Sequence, residues 1–204
     1  VIPNGLGKGN VILSGSSSTS PVTLDLNGFD ETINSLISYG THANTAITNG
    51  KASSTSTLTI GDNNASTLVT DTAAATTFFG GVIKDSGTGI MALTKIGEGT
   101  QTFTGANTYS GATVINGGTL QLGDSAGTAG GTTFGLAGSI GSGPVTNNGN
   151  LAFSRSVDLT ISQNINGSGS ISNVGAAGTV TLAGSLNGGA VAMAGQGALR
   201  LNGS

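Results

Sequence analysis

The sequence predicts an all-β chain wound as a solenoid, a parallel β-helix, and three observations carry that expectation. Glycine makes up 37 of the 204 residues while charged residues make up only 7%. The apolar residues come in short bursts that alternate with polar ones. The chain also repeats itself at unequal intervals, which suits an open coil better than a closed barrel or propeller.

The glycine content decides nothing alone, because glycine-rich chains without a fixed period are often disordered. Here a hydrophobic content of 36%, a mean hydropathy of +0.17 and a net charge of -3 leave too little charge and polarity to keep the chain unfolded. The glycines therefore read as punctuation between short strands, at backbone angles where a Cβ would clash.

Period-two alternation marks strands at Asn10 to Ser14, Val22 to Leu26, Thr57 to Ile60 and Ile90 to Thr94. It continues at Thr100 to Thr104, Ala112 to Asn116, Thr119 to Leu122 and Asn150 to Ser154, and ends with Thr179 to Ala183, Ala190 to Ala194 and Ala198 to Leu201. Each is bounded by Gly, Asn, Asp or Ser. Only Thr67 to Phe79 offers a weak helical alternative.

Two internal repeats separate a solenoid from other all-β folds. Gly97-Glu98-Gly99 precedes Gly105 as Gly195-Gln196-Gly197 precedes Gly203, with Phe103 and Leu201 at matching positions. Gly9-Asn10-Val11-Ile12 likewise matches Gly143-Pro144-Val145-Thr146. At roughly 20 to 25 residues per turn the chain makes about eight or nine rungs. Small Thr, Ser, Val and Ala suit the narrow interior. Asn27, Asn116, Asn147, Asn166 and Asn202 are candidates for amide ladders between rungs. Residues 1–204 read as one segment of a longer chain, with approximate units 1–123 and 124–204, the second incomplete.

Six Lys and Arg cannot form the basic stripe that nucleic acid requires. No apolar run approaches the roughly 20 residues of a membrane span. Without cysteine there are neither disulfides nor thiolate metal sites. No signal peptide begins at Val1, so any secretion signal is expected outside this stretch.

Leu93 to Leu122 reads LTKIGEGTQTFTGANTYSGATVINGGTLQL. Its Thr94-Lys95, Gly97-x-Gly99, Gly105-Ala106-Asn107-Thr108-Tyr109, Gly111-Ala112-Thr113 and Gly118-Thr119-Leu120-x-Leu122 closely resemble the autotransporter-associated β-strand repeat of bacterial passenger domains. Leu24 to Phe29 and Thr32 to Leu36 resemble the stretch that leads into such a repeat. The resemblance implies a right-handed parallel β-helix, exported through the outer membrane of a Gram-negative bacterium and displayed on or shed from its surface. It implies no reaction. Ser125 to Gly138 departs from the pattern and is expected to protrude as a loop whose register the repeat does not fix.

No catalytic, cofactor-binding or metal-binding residue is assigned. His42, in Gly40-Thr41-His42, lacks the carboxylate and serine of a triad and reads as a loop residue. Among the nine acids only Asp30 and Glu31 are adjacent, and neighbours in a strand face opposite ways. Arg155 and Asp158 read as a surface ion pair, and Asp124 as a solvated turn carboxylate. Gly130-Gly131 and Gly188-Gly189 lack the Asp of a calcium nonapeptide. Tyr39, Tyr109, Phe29, Phe78 and Phe79 read as rung filling in preference to an exposed platform for glycans.

Three functions compete. A structural stalk or filament, displaying other segments or mediating adhesion, needs only the repeat, and should be a rod without pockets. A glycan-binding or cell-binding adhesin module needs one face of clustered aromatic and polar groups. A carbohydrate-active enzyme needs an acidic cleft that this sequence does not supply. Partners are then neighbouring repeats of the same chain, further copies stacked end to end into fibres, or surface glycans and other cells. The stacking expectation rests on Gly203-Ser204 stopping where Gly105-Ala106 continues into Asn107-Thr108-Tyr109, and on Val1 to Gly5 reading as a connector from an earlier rung.

Overall fold

The computed structural model describes residues 9–15, 21–40, 45–61, 76–124, 138–175 and 178–202. Within them the chain visits three faces in strict rotation. The first two turns hold β1 (Val11–Gly15), β2 (Val22–Asp25), β3 (Glu31–Ile33), β4 (Leu36–Gly40), β5 (Thr45–Thr48) and β6 (Thr55–Ile60). The third holds β7 (Thr76–Phe79), β8 (Val82–Ile83) and β9 (Ile90–Lys95). In the fourth, β10 (Thr100–Phe103) and β11 (Thr113–Ile115) flank an irregular segment, 105–109. In the fifth, β12 (Thr119–Leu122) and β13 (Val145–Asn147) flank another, 138–142. Regular turns resume with β14 (Asn150–Phe153), β15 (Leu159–Ile161), β16 (Ile165–Asn166), β17 (Ser170–Asn173), β18 (Thr179–Leu182) and β19 (Leu186–Asn187). β20 (Val191–Met193) and β21 (Ala198–Leu201) follow.

Every pairing between strands is parallel and joins consecutive turns. The third face is one seven-stranded sheet, β19-β16-β13-β11-β9-β6-β3. The first face is split into β1-β4 and the six-stranded β20-β17-β14-β12-β10-β7, and the second into β2-β5-β8 and β15-β18-β21. The fold is thus an all-β parallel solenoid of about seven turns, fewer than the eight or nine expected. The difference lies in turn length. Leu93 pairs with Thr113 and Thr100 with Thr119, but Leu58 pairs with Leu93 and Thr119 with Asn150, because the chain detours after Gly61 and after Asp124.

All the strands expected from alternation are present. The others, β3, β4, β5, β7, β8, β13, β15, β16, β17 and β19, run from two to five residues and pair with strands of the neighbouring turns. Of the helical alternative, Thr76–Phe79 is strand β7, and residues 67–75 lie outside the described residues, as do His42 and 125–137. The repeats matched in sequence enter different faces: Gly97 to Phe103 leads into β10 on the first, Gly195 to Leu201 into β21 on the second. Gly9 to Ile12 leads into β1 on the first face and Gly143 to Thr146 into β13 on the third. All three faces use the same sequence of glycine turn and alternating strand, so similarity alone does not distinguish them.

Registered stacking builds the core as columns. Leu120, Leu151 and Ile171 form one on the first face, and Phe79, Phe103, Leu122 and Phe153 another, with the Phe79 and Phe103 rings edge to face at 6.2 Å. Leu58, Leu93, Thr113, Val145 and Ile165 line up on the third face. Each such Leu, Ile or Phe contributes roughly 1.5–3 kcal/mol by leaving water. Polar groups interrupt the columns, Gln101 above Leu120, Lys95 between Ile60 and Ile115, and Thr113 between Leu93 and Val145.

Candidate functional site

Leu93 to Leu122 runs about a third of a turn beyond one full turn of the coil, so it stacks on itself. Leu93, Thr94 and Lys95 pair with Thr113, Val114 and Ile115, and β10 pairs with β12 over its whole length. Each recognisable residue of this stretch has a physical task. Gly97 and Gly118 hold φ of +67° and +60°, where a side chain is strained. A Cβ on Gly105 would collide with the carbonyl oxygen of Gly81 in the turn before.

Asn107 joins three turns, its Oδ1 accepting from Ile83 N–H at 2.8 Å and its Nδ2 donating to Ser139 O at 2.7 Å. Tyr109 is wholly buried, with its hydroxyl 2.7 Å from Thr113 Oγ1, and burial pushes its pKa up to about 12. Lys95 is 1% exposed, and its ammonium donates to Ile96 O at 2.5 Å, Gly97 O at 3.3 Å and Gly117 O at 3.4 Å. Carbonyl dipoles replace water only partly, so desolvation lowers its pKa from 10.5 to about 8.

Gln101 closes the split in the first face. β4 and β7 share no backbone ladder, yet the Gln101 amide donates to Leu36 O at 2.9 Å and accepts from Leu36 N–H at 3.1 Å. Its Oε1 also accepts from Thr77 Oγ1 at 2.9 Å. One side-chain amide thus stands in for a missing peptide group. Its place two residues before Phe103, on the same face of the strand, was the available signal for a buried role.

The acids are dispersed for a related reason. Asp25 accepts from Gly50 N–H at 2.7 Å, Asp30 from Thr57 N–H at 2.7 Å, Asp85 from Ser110 N–H at 3.0 Å and Asp158 from Thr179 N–H at 2.8 Å. Each carboxylate binds an amide of the next turn. Asn49 does the same with its amide, accepting from Gly28 N–H and donating to Ile90 O. The expected asparagine ladders are shorter than long files, with Asn187 donating to Asn166 at 2.8 Å and Asn148 to Asn116 at 3.4 Å. Asn147 departs from them, being buried and donating to Ser170 O.

Two charged residues differ from expectation. Arg155 is buried, not on the surface, and donates to the carbonyls of Gly138, Val157 and Asp158. Burial lowers its pKa, opposed by the charge of Asp158. Asp124 is also buried, at 3% exposure, and is not a solvated turn carboxylate. Asp30 and Glu31 face opposite ways, one exposed and the other buried. Among the described residues no three His, Asp or Glu side chains gather as a metal site would need.

The surface is not that of a pocketless rod. Where the second face breaks between β8 and β15, a groove of about 550 Å³ opens beside Thr108, Ile140, Ser142, Thr160, Ser162 and Gln163. Among the described residues no aromatic ring lines it. Phe79 and Tyr109 fill the interior, Phe78 is half-buried, and Phe29 is exposed alone at a turn.

Residues 93–122 match the family model of the passenger-associated-transport-repeat. No curated protein and no solved structure matches the chain. The match covers the turn whose glycines, Lys95, Asn107 and Tyr109 organise the middle of the coil. The chain is a parallel β-solenoid that carries, at residues 93–122, a passenger-associated transport repeat of the autotransporter type.

Proposed function

We propose that this chain is a non-catalytic stalk segment of an autotransporter passenger, exposed outside a Gram-negative cell, where it holds other segments away from the surface. The observation that carries the reading is the unbroken seven-stranded third face with an export-associated repeat at its centre. A parallel sheet of stacked turns resists bending because the hydrogen bonds between its strands run along the axis. Seven turns rising by about 4.8 Å each give a spacer of about 34 Å.

The turn of β19, β20 and β21 offers a surface on which another turn can stack. Val191, Met193 and Leu201 are 42%, 50% and 56% exposed, and β19, β20 and β21 each end a sheet. A further turn stacked there, from a neighbouring repeat or from a second copy, would cover them and bond the open edges.

The test is electron microscopy of a passenger with and without these residues. The stalk reading expects the rod to shorten by about 34 Å on deletion with its diameter unchanged. An unchanged length would overturn it.

A further inference from the structure

We propose that the groove at the break in the second face binds a short neutral saccharide. Its volume of about 550 Å³ falls within the range of small-molecule sites, roughly 300–1,000 Å³. The ligand class follows from the groups that line it. Thr108, Ser142, Thr160 and Ser162 are exposed and bring four hydroxyls to one concave surface. Each can donate and accept, as the vicinal hydroxyls of a sugar require.

The strand edge adds backbone groups. β15 pairs only with β18, and Ile161 O accepts from Ala183 N–H at 2.8 Å, so the amide and carbonyl of Ile161 serve that ladder. In a parallel pair alternate residues bond opposite sides, which leaves the Thr160 N–H and C=O directed at the groove. Gln163 donates its Nε2 to Gly141 O across the break and keeps its Oε1 to accept from a ligand. The Asn107 amide, by contrast, is used up by Ile83 and Ser139, and serves to fix the wall.

Other ligand classes fit worse. Among the described residues the lining holds no Asp, Glu, Lys, Arg or His to meet a phosphate, a carboxylate, an amine or a calcium ion. Ile140 is the one large apolar side chain that the described residues bring to it and is itself buried, a poor match for the side chains of a peptide. With no aromatic face among the described residues the affinity should be weak, with Kd of about 1–10 mM, and useful only when many copies stand side by side.

The inference is independent of the stalk reading and is tested on the whole chain. Saturation-transfer NMR is recorded with maltotriose, cellotriose, triacetylchitotriose and 3′-sialyllactose, each at about 10 mM, with and without EDTA. We expect transfer to at least one neutral trisaccharide, unchanged by EDTA, and none to sialyllactose. The triple variant Ser142→Ala/Thr160→Val/Ser162→Ala changes exposed positions only, and should melt like the parent while losing about tenfold or more in affinity. The proposal is overturned if no neutral trisaccharide binds, if EDTA abolishes binding, if sialyllactose binds as well, or if the triple variant binds like the parent.

Discussion

Replacing Gln101 by Leu isolates the value of the amide that joins β4 to β7. The substitution leaves Leu36 N–H and Leu36 O buried without their partner, and removes the acceptor of Thr77 Oγ1. Each orphaned buried group costs about 1–3 kcal/mol, and the leucine returns about 1–2 kcal/mol through its apolar surface. The net loss should be on the order of 3 kcal/mol, which lowers Tm by roughly 6–12 °C in a chain of this size. The neighbouring residue supplies the control. Thr102 Oγ1 is buried with no hydrogen-bond partner among the described residues, so Thr102→Val should be neutral or stabilising by up to about 1 kcal/mol. Thermal melts followed by circular dichroism, with hydrogen exchange at the Leu36 amide, distinguish the two. If Gln101→Leu melts with the parent and Leu36 stays protected, the amide does not hold the seam.

The other predictions concern pH, links between turns and the core. Lys95 has a folded pKa of about 8 against 10.5 unfolded, so the unfolded chain binds more protons between those values and stability should rise as pH increases from 8 to 10. Above pH 10 the raised pKa of Tyr109, about 12, reverses the slope, because the unfolded phenol ionises first. Urea titrations at several pH values should therefore peak near pH 10, and Lys95→Met should flatten the rising limb. Asn107→Ala should cost about 2–4 kcal/mol by stranding Ile83 N–H and Ser139 O, and Asn107→Asp at least as much, since it retains the acceptor but buries a carboxylate oxygen against the Ser139 carbonyl. Leu122→Asp should cost more than about 4 kcal/mol or keep its carboxyl protonated, whereas Asp124→Ala should cost about 1–3 kcal/mol, with denaturant midpoints as the readout. Chelator should leave the melt unchanged, and a drop in Tm with EDTA would reveal a metal.

Alternation made the inward residues legible. Leu120 and Leu122, two residues apart, both point into the coil, and so do Leu58 and Ile60. The same spacing places Gln101 with Phe103 and Lys95 with Leu93, so polar side chains in the interior could be read, though their partners could not. Those partners are backbone groups one or more turns away, and the distance in sequence to the next turn changes with each detour. For the same reason the acids looked unrelated to one another. Asp25 and Gly50, or Asp158 and Thr179, meet only once the register between turns is known. The burial of Arg155 and Asp124 was hidden because both sit at corners, where alternation stops. The groove was invisible because it arises from strands that fail to pair.

The Gln101 splice bears on how such a chain can change over generations. A coil whose turns touch only their neighbours can accept extra residues at a corner, as between Gly61 and Thr76, with damage confined to a single interval of one sheet. One amide from a strand further along then restores the lost bonding, while the third face continues undisturbed. Repair by a single side chain lowers the barrier to lengthening a corner, and corners are where a surface protein meets its surroundings. The architecture thereby separates two rates of divergence: the columns of the interior are constrained by the turns on either side, while the corners are free to acquire new recognition properties one insertion at a time.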